Sequence, residues 1–234
     1  PEGRAWAAAL TSLMTGHAYA TSARTAARLG AFEGYAENAE HMNRVLEMHR
    51  DASYEIEMTE IVPNDLVAAG QASWEAAVRD GALNGVRNSQ ASVLAPTGTI
   101  GLMMDCDTTG IEPVLGLVKM KNLVGGGTMQ IVNQTIPRAL RKLGYTEETI
   151  EAIVEYISDN GHVVDAPGLK TEHYAIFDTA MGARSISPIG HVRMMAAVQS
   201  FISGAISKTV NMPETATVED VEEIYYEGWK QGLK

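Results

Sequence analysis

The residues of this chain best suited to chemistry lie between Asn88 and Pro113, in NSQASVLAPTGTIGLMMDCDTTGIEP. Ser92 to Ala95 reads as a short apolar strand, with the β-prone Val93 in it. Pro96, Thr97, Gly98 and Thr99 make a turn. Pro96 has a fixed φ and no N–H, and Gly98 allows a close backbone approach. Thr99 is placed to cap a helix over Ile100 to Met104. A strand that bends into a helix through threonines and a glycine is suited to holding phosphate. The first amides of a helix lack intrahelical partners, and the dipole there favours an anion. Threonine hydroxyls add donors without adding charge. The same residues would also serve a plain strand-to-helix connection.

The other candidates carry less. No Lys follows the glycine as a Walker A loop requires, and the G-x-G-x-x-G fingerprint is absent. Cys106 is the only cysteine. One thiol excludes an internal disulfide framework and a cysteine-based zinc site, and Cys106 is expected to be a small packing residue. The histidines show no HExxH spacing. His41 and His49 lie eight apart in one helical pattern and are expected on the surface. Gly125, Gly126 and Gly127 form a break that reads as a loop, with a second phosphate cradle as the alternative.

Composition narrows the class. The chain has 234 residues, 45% of them hydrophobic, enough for one large domain or two small ones. No run approaches the roughly 18 apolar residues that span a bilayer, and no signal segment opens the chain. A cytoplasmic protein with no membrane partner is expected. The formal net charge of −11 argues against a nucleic-acid polymer as partner. It leaves room for a small phosphorylated ligand, since a local cradle needs no net basic charge. Acids crowd Glu147 to Glu172 and Glu214 to Glu227, and read as solvated helix faces.

Helices must carry these residues. Gly3 to Leu29 is Ala-rich, with Leu10, Leu13, Met14 and His17 on one face. A second helix runs from a cap at Asn38 to about Arg50, suggesting an antiparallel helical hairpin. A third starts at Pro63 and Asn64 and stops near Gly81. Gln130 to Leu143 reads as a helix kinked or broken at Pro137. Thr146 caps a helix with an apolar stripe of Ile150, Ile153, Val154 and Ile157, ended by Asn160 and Gly161. Ser187 and Pro188 open a helix through Gln199. Phe201 to Met212 is a second strand candidate. Thr217 caps a last helix with Val218, Val221, Tyr225 and Gly228 on one side. The twelve methionines read as core filler. Strands so far apart cannot pair through tight hairpins, so pairing in parallel through helical crossovers, or with strands that this chain lacks, is expected, as in an α/β barrel segment.

The same residues resemble a known family. The 88–113 segment is similar to the catalytic subunit of adenosylcobalamin-dependent, class II ribonucleotide reductases. ALTSLMTGHAYATSA, AFEGYAEN, LVKMKNLVGGG, GHVRMMAAVQSFISGAISKTVNMP and EGWKQGLK also match that pattern, in order along the whole chain. The class I large subunit has a similar proline-threonine turn and a similar ending; GTIGLMMDCDTTGIEP and SGAISKTVNMP favour the cobalamin class. A non-catalytic nucleotide-phosphate-binding module is the alternative from another functional class.

The resemblance implies an α/β fold, part of a ten-stranded barrel, helix-rich with a few parallel strands. It implies one partial catalytic domain over 1–234, mainly helical over 1–86, with the phosphate turn, helices and last barrel strands over 87–234. It implies that Ala95, Pro96, Thr97, Gly98, Thr99 and Ile100 bind the phosphates of a ribonucleotide, with the Thr97 and Thr99 hydroxyls and the amides of Gly98 to Ile100 as donors. The implied reaction is reduction of ribonucleotides to deoxyribonucleotides by thiyl radical chemistry, with adenosylcobalamin as cofactor. The implied partners are the substrate, the remainder of the same polypeptide and a thioredoxin-like or other dithiol reductant, with a homodimer as a candidate assembly. Such chemistry needs several cysteines, and Cys106 does not sit in an Asn-x-Cys-x-Glu arrangement. The chain is therefore expected to be a fragment whose radical and reducing cysteines lie outside it. No catalytic residue is assigned to this sequence, and the isolated chain is expected to be inactive and marginal or oligomeric.

Overall fold

The computed structural model describes residues 2–122 and 126–233. Its order is α1 (Glu2–Leu29), α2 (Tyr35–Tyr54), α3 (Asn64–Asn84), α4 (Gly98–Met103), β1 (Val118–Asn122), β2 (Thr128–Val132), α5 (Thr135–Lys142), α6 (Glu147–Asn160), a 3-10 helix (Thr171–Phe177), α7 (Pro188–Gln199) and α8 (Val218–Lys230). The chain divides into two compact units. One comprises Pro1–Ala95, Val192–Ser207 and Ala216–Lys234; the other comprises Pro96–His191 and Lys208–Thr215. No helix among the described residues is long and apolar enough to cross a membrane.

In the first unit, α3 is the shared partner: α1 lies along it, and α2 packs on it far more than on α1. The expected hairpin of the first two helices is therefore replaced by two pairings to the third. The buried face of α1 also differs from the expected one. Leu10 and Met14 are about half exposed, at 52% and 49%. The face that goes inside is Ala5, Ala9, Ser12, Gly16, Tyr19 and Ala23. Small residues let two backbones approach, and that outweighs the larger apolar surface of the other face. A Cβ on Gly16 would stand 3.1 Å from the Trp74 ring. Trp74 is fully buried, and its indole Nε1–H donates to Ser12 Oγ at 3.1 Å. Tyr19, Ala20, Ala23, Met42, Leu46, Trp74, Ala77 and Val86 form one core cluster around it. His49 is not a plain surface residue: its ring stacks on Trp74 with centroids 5.0 Å apart.

The helix starts and stops follow local chemistry. Asn38 lies inside α2, not at its cap, and its side chain donates to the Gly34 carbonyl. Thr217 caps α8 in a reciprocal box with Asp220. The α8 stripe does not reach a core: Val218 is 71% and Tyr225 77% exposed, and only Gly228 is buried.

In the second unit, Thr146 caps α6, Gly161 ends it in the left-handed region, and Ile150, Ile153 and Ile157 enter the core. They meet Leu117, Ile136, Leu140, Val163, Ala166, Leu169 and Phe177. The acids of α6 (Glu147, Glu148, Glu151, Glu155, Asp159) are solvated, as expected. The helix expected from Gln130 is shorter. Thr128–Val132 is a strand, and α5 begins at Thr135, where the buried Asn133 side chain accepts from the Thr135 amide and hydroxyl. Pro137 then sits in the first turn, where its missing N–H costs nothing.

β1 and β2 form an antiparallel hairpin, Val118 opposite Val132 and Asn122 opposite Thr128. This hairpin is additional to the strands expected at Ser92–Ala95 and Phe201–Met212, and only those are expected not to pair through tight hairpins. Gly126 and Gly127, both at positive φ, belong to its connection; Gly125 lies outside the described residues. The two strands expected at Ser92–Ala95 and Phe201–Met212 reduce to one parallel bridge, Leu94 with Ile206. Among the described residues, the only sheet is the two-stranded hairpin, and the ten-stranded barrel implied by the resemblance is not displayed.

Candidate phosphate site and the buried charges behind it

Hydroxyl groups of the first unit fix the segment that leads to the turn. Ser22 Oγ donates to Asn88 Oδ1 and accepts from the Asn88 amide, at 2.8 and 2.9 Å. Tyr19 OH donates to the Ser89 carbonyl. Ser203 Oγ accepts from the amides of Ala91 and Ser92, at 2.9 and 3.0 Å. Thr15 Oγ1 donates to Ser92 Oγ. The Leu94 amide then donates to the Ala205 carbonyl, and the Ser207 amide to the Leu94 carbonyl. A neutral polar network of this kind satisfies backbone groups that would otherwise lack partners. Burial pushes the Tyr19 hydroxyl pKa up, so it stays a neutral donor.

Ala95 closes the first unit, and Pro96 to Ile100 open the second. The helix there starts two residues earlier than expected, at Gly98 instead of Ile100, so Thr99 lies within its first turn and is not its cap. Thr97 precedes the helix: its carbonyl accepts the first turn-closing bond, from the Gly101 amide at 2.6 Å. The amides of Gly98, Thr99 and Ile100 come before that bond, where a helix supplies no acceptor. Pro96, Gly98, Thr99 and Ile100 are exposed, Thr97 is half-buried, and Ile100 is 57% exposed despite being apolar. Thr97 has φ 51, a left-handed conformation that β-branched residues avoid. Its Oγ1 accepts from the Gly110 amide at 2.7 Å. The hydroxyl hydrogen is still free to donate. The expected donors are thus brought together on one exposed turn.

Cys106 is exposed, not a packing residue. The methionines are not mainly core either, since Met48, Met58, Met103, Met104 and Met181 are all more than half exposed.

A second cluster escaped the sequence reading. The Lys208 side chain is 1% exposed, and its ammonium has three partners. It donates to Glu112 Oε2 at 2.6 Å, to the Thr209 carbonyl at 2.6 Å, and lies 2.7 Å from His191 Nδ1. The other oxygen of Glu112 accepts from the Thr209 amide at 2.6 Å. An ammonium can only donate, so His191 Nδ1 accepts and the ring proton sits on Nε2. That Nε2–H is buried with no partner among the described residues. Burial and the neighbouring Lys208 charge push the His191 pKa down, against a weaker upward pull from Glu112, so the ring is held neutral. Glu112 and Lys208 are 96 residues apart. Each belongs to a segment quoted above, TGIEP and SKTVNMP, but no local pattern links the two.

Among the described residues, no group of three or more His, Cys, Asp or Glu side chains could hold a metal ion.

Comparison with known proteins agrees with the whole-chain resemblance. The family model described as "Ribonucleotide reductase, barrel domain" matches residues 1–234. The vitamin B12-dependent ribonucleotide reductase of Streptantibioticus cattleyicolor is 62% identical over 99% of this chain and 39% of its own length. The protein of that name from Rhodopirellula baltica is 49% identical over 99% of this chain and 22% of its own. The vitamin B12-dependent ribonucleoside-diphosphate reductase of Mycobacterium tuberculosis is 42% identical over 63% of this chain and 20% of its own. The chain spans well under half the length of the curated relatives it matches. A family match that covers residues 1–234 places this chain in the ribonucleotide reductase barrel-domain family.

Proposed function

We propose that this chain is the substrate-phosphate-binding part of a cobalamin-dependent ribonucleotide reductase, with Pro96 to Ile100 as the contact turn and Ala95 leading into it. The observation that carries the reading is the exposed start of α4. Three amides precede the first helical bond, beside the Thr97 and Thr99 hydroxyls. Each hydrogen bond to a charged phosphate oxygen contributes about 1.5–3 kcal/mol.

The name of the M. tuberculosis relative supports a ribonucleoside diphosphate as substrate. The parallel bridge between Leu94 and Ile206 supports a place for these segments in a parallel barrel, completed by further strands of the same polypeptide. When bound, adenosylcobalamin supplies the radical chemistry. The residues of this chain bind and orient the substrate's anionic end, and electrons come from a dithiol reductant.

The test is Thr99→Ala in the full-length reductase. Loss of one or two charge-assisted bonds lowers kcat/KM for the ribonucleotide by about ten- to a hundredfold. An unchanged kcat/KM would remove the turn from the binding site. Gly98→Ala separates ligand contact from folding. A Cβ there meets no protein atom within 4 Å, so stability is kept, whereas a phosphate seated against the amides is obstructed.

A further inference from the structure

We propose that Lys208 is a positioning residue for the phosphate turn, acting through Glu112 and the Gly110–Thr97 hydrogen bond. This rests on the reading of Pro96 to Ile100 given above. It adds residues that do not touch the substrate.

The path is short and lies wholly in the second unit. Lys208 holds one oxygen of Glu112, and the Thr209 amide holds the other, so the carboxylate has a single orientation. The Glu112 amide donates to the Thr109 carbonyl at 3.1 Å, which closes the tight 109–112 turn. Gly110, inside that turn, donates its amide to Thr97 Oγ1. The 109–112 turn also abuts α4: a Cβ on Gly101 would stand 3.2 Å from Thr109 Cγ2. Thr97 keeps an unfavourable φ only while its surroundings fix it. The ion pair thus clamps the 109–112 turn, and that turn holds the residue that precedes the phosphate-facing amides.

The ion pair is buried on the lysine side, while the Glu112 side chain is 25% exposed. A lysine with a side chain 1% exposed loses its hydration, and a buried ion pair seldom stabilises a fold more than apolar residues of similar volume do. What it does supply is geometry. Each of the three ammonium donors has its own acceptor, and His191 contributes one of them while staying neutral. A flexible or merely packed side chain would not set the height of Gly110 against Thr97.

The experiment uses the full-length reductase loaded with its cofactor and follows ribonucleoside diphosphate reduction. Lys208→Met is expected to raise KM about tenfold, with kcat per folded enzyme within about twofold. Thr97→Val deletes the acceptor of the Gly110 amide. In that background the KM effect of Lys208→Met should shrink to about threefold or less, because both changes cut one path. If Lys208→Met does not fold, Lys208→Gln, which retains a donor, is measured in its place. A KM that does not move, a loss of activity that only follows the loss of folded enzyme, or two effects that multiply independently would each overturn the proposal. Thr99→Ala, run alongside, keeps the two ideas apart. If it leaves KM unchanged, the reading of the turn fails. If it raises KM while Lys208→Met does not, only the role of Lys208 fails.

Discussion

The segments on either side of Pro96 are fastened by different chemistry. Before it, Asn88 to Leu94 is held by neutral groups: Ser22, Tyr19, Thr15 and Ser203. After it, the 109–112 turn is held by a carboxylate, an ammonium and an uncharged imidazole. A hydroxyl network tolerates loss of one member at the cost of a few orphaned amides. The ion pair does not, because loss of the Glu112 carboxylate strands the buried Lys208 ammonium. The first unit therefore has the forgiving attachment, and the second has the brittle one that fixes direction.

The largest test of this contrast is Glu112→Leu, which leaves the Lys208 ammonium buried without its carboxylate. About 3–5 kcal/mol of stability should be lost, seen as a lower midpoint in thermal or denaturant unfolding. A loss under about 1 kcal/mol would mean that water already screens the pair. Ser203→Ala comes next. It orphans the Ala91 and Ser92 amides and should cost about 1–3 kcal/mol in the same assay. If it matched Glu112→Leu, the two attachments would not differ in kind.

Acidification sharpens the comparison, because the charged network holds His191, whose Nδ1 lies 2.7 Å from the Lys208 ammonium. The folded pKa of His191 is depressed, so the fold favours its neutral form. That contribution is complete above the unfolded histidine value, about 6.5, and is lost as pH falls through the lower folded value. Protonated Nδ1 can no longer accept from Lys208, so the clamp on Glu112 loosens. Hydrogen exchange, corrected for its intrinsic pH dependence, should show the Thr209 amide losing protection below pH 6.5 while the Ser92 amide keeps it. Equal behaviour of the two amides would count against His191 as the sensitive group, and His191→Gln should flatten the Thr209 response.

The smallest effect lies on the surface. Thr217→Ala removes an exposed cap from α8 and should cost about 0.5–1 kcal/mol, with no change in nucleotide KM. A change in KM would connect α8 to the site.

Part of the candidate site was legible because its signals are local. The Pro-Thr-Gly-Thr turn, its apolar flanks and its unpaired amides lie within a few residues of one another. The start of α4 lies at Gly98 instead of Ile100 because Thr97, not Thr99, adopts the position before the helix, held there by Gly110. That hydrogen bond spans 13 residues and has no periodic signature. The hairpin was missed because β1 and β2 are brief and a helical pattern could be laid over Gln130 to Leu143.

The sequence by itself determined the elements whose causes act within one or two turns. Thr146 and Thr217 start helices, Gly161 stops one, and Ile150, Ile153 and Ile157 choose the inward face of α6. Only the tertiary structure decided which face of α1 is buried and which charges meet. Small residues won on α1 because Gly70 of α3 lies against the α1 backbone at Leu13 and Gly16 leaves room for the Trp74 ring. Glu112, Lys208 and His191 converge because the chain returns to one place from three distant points. A buried charge is tolerated only where such partners arrive together, and spacing along a sequence carries no record of that.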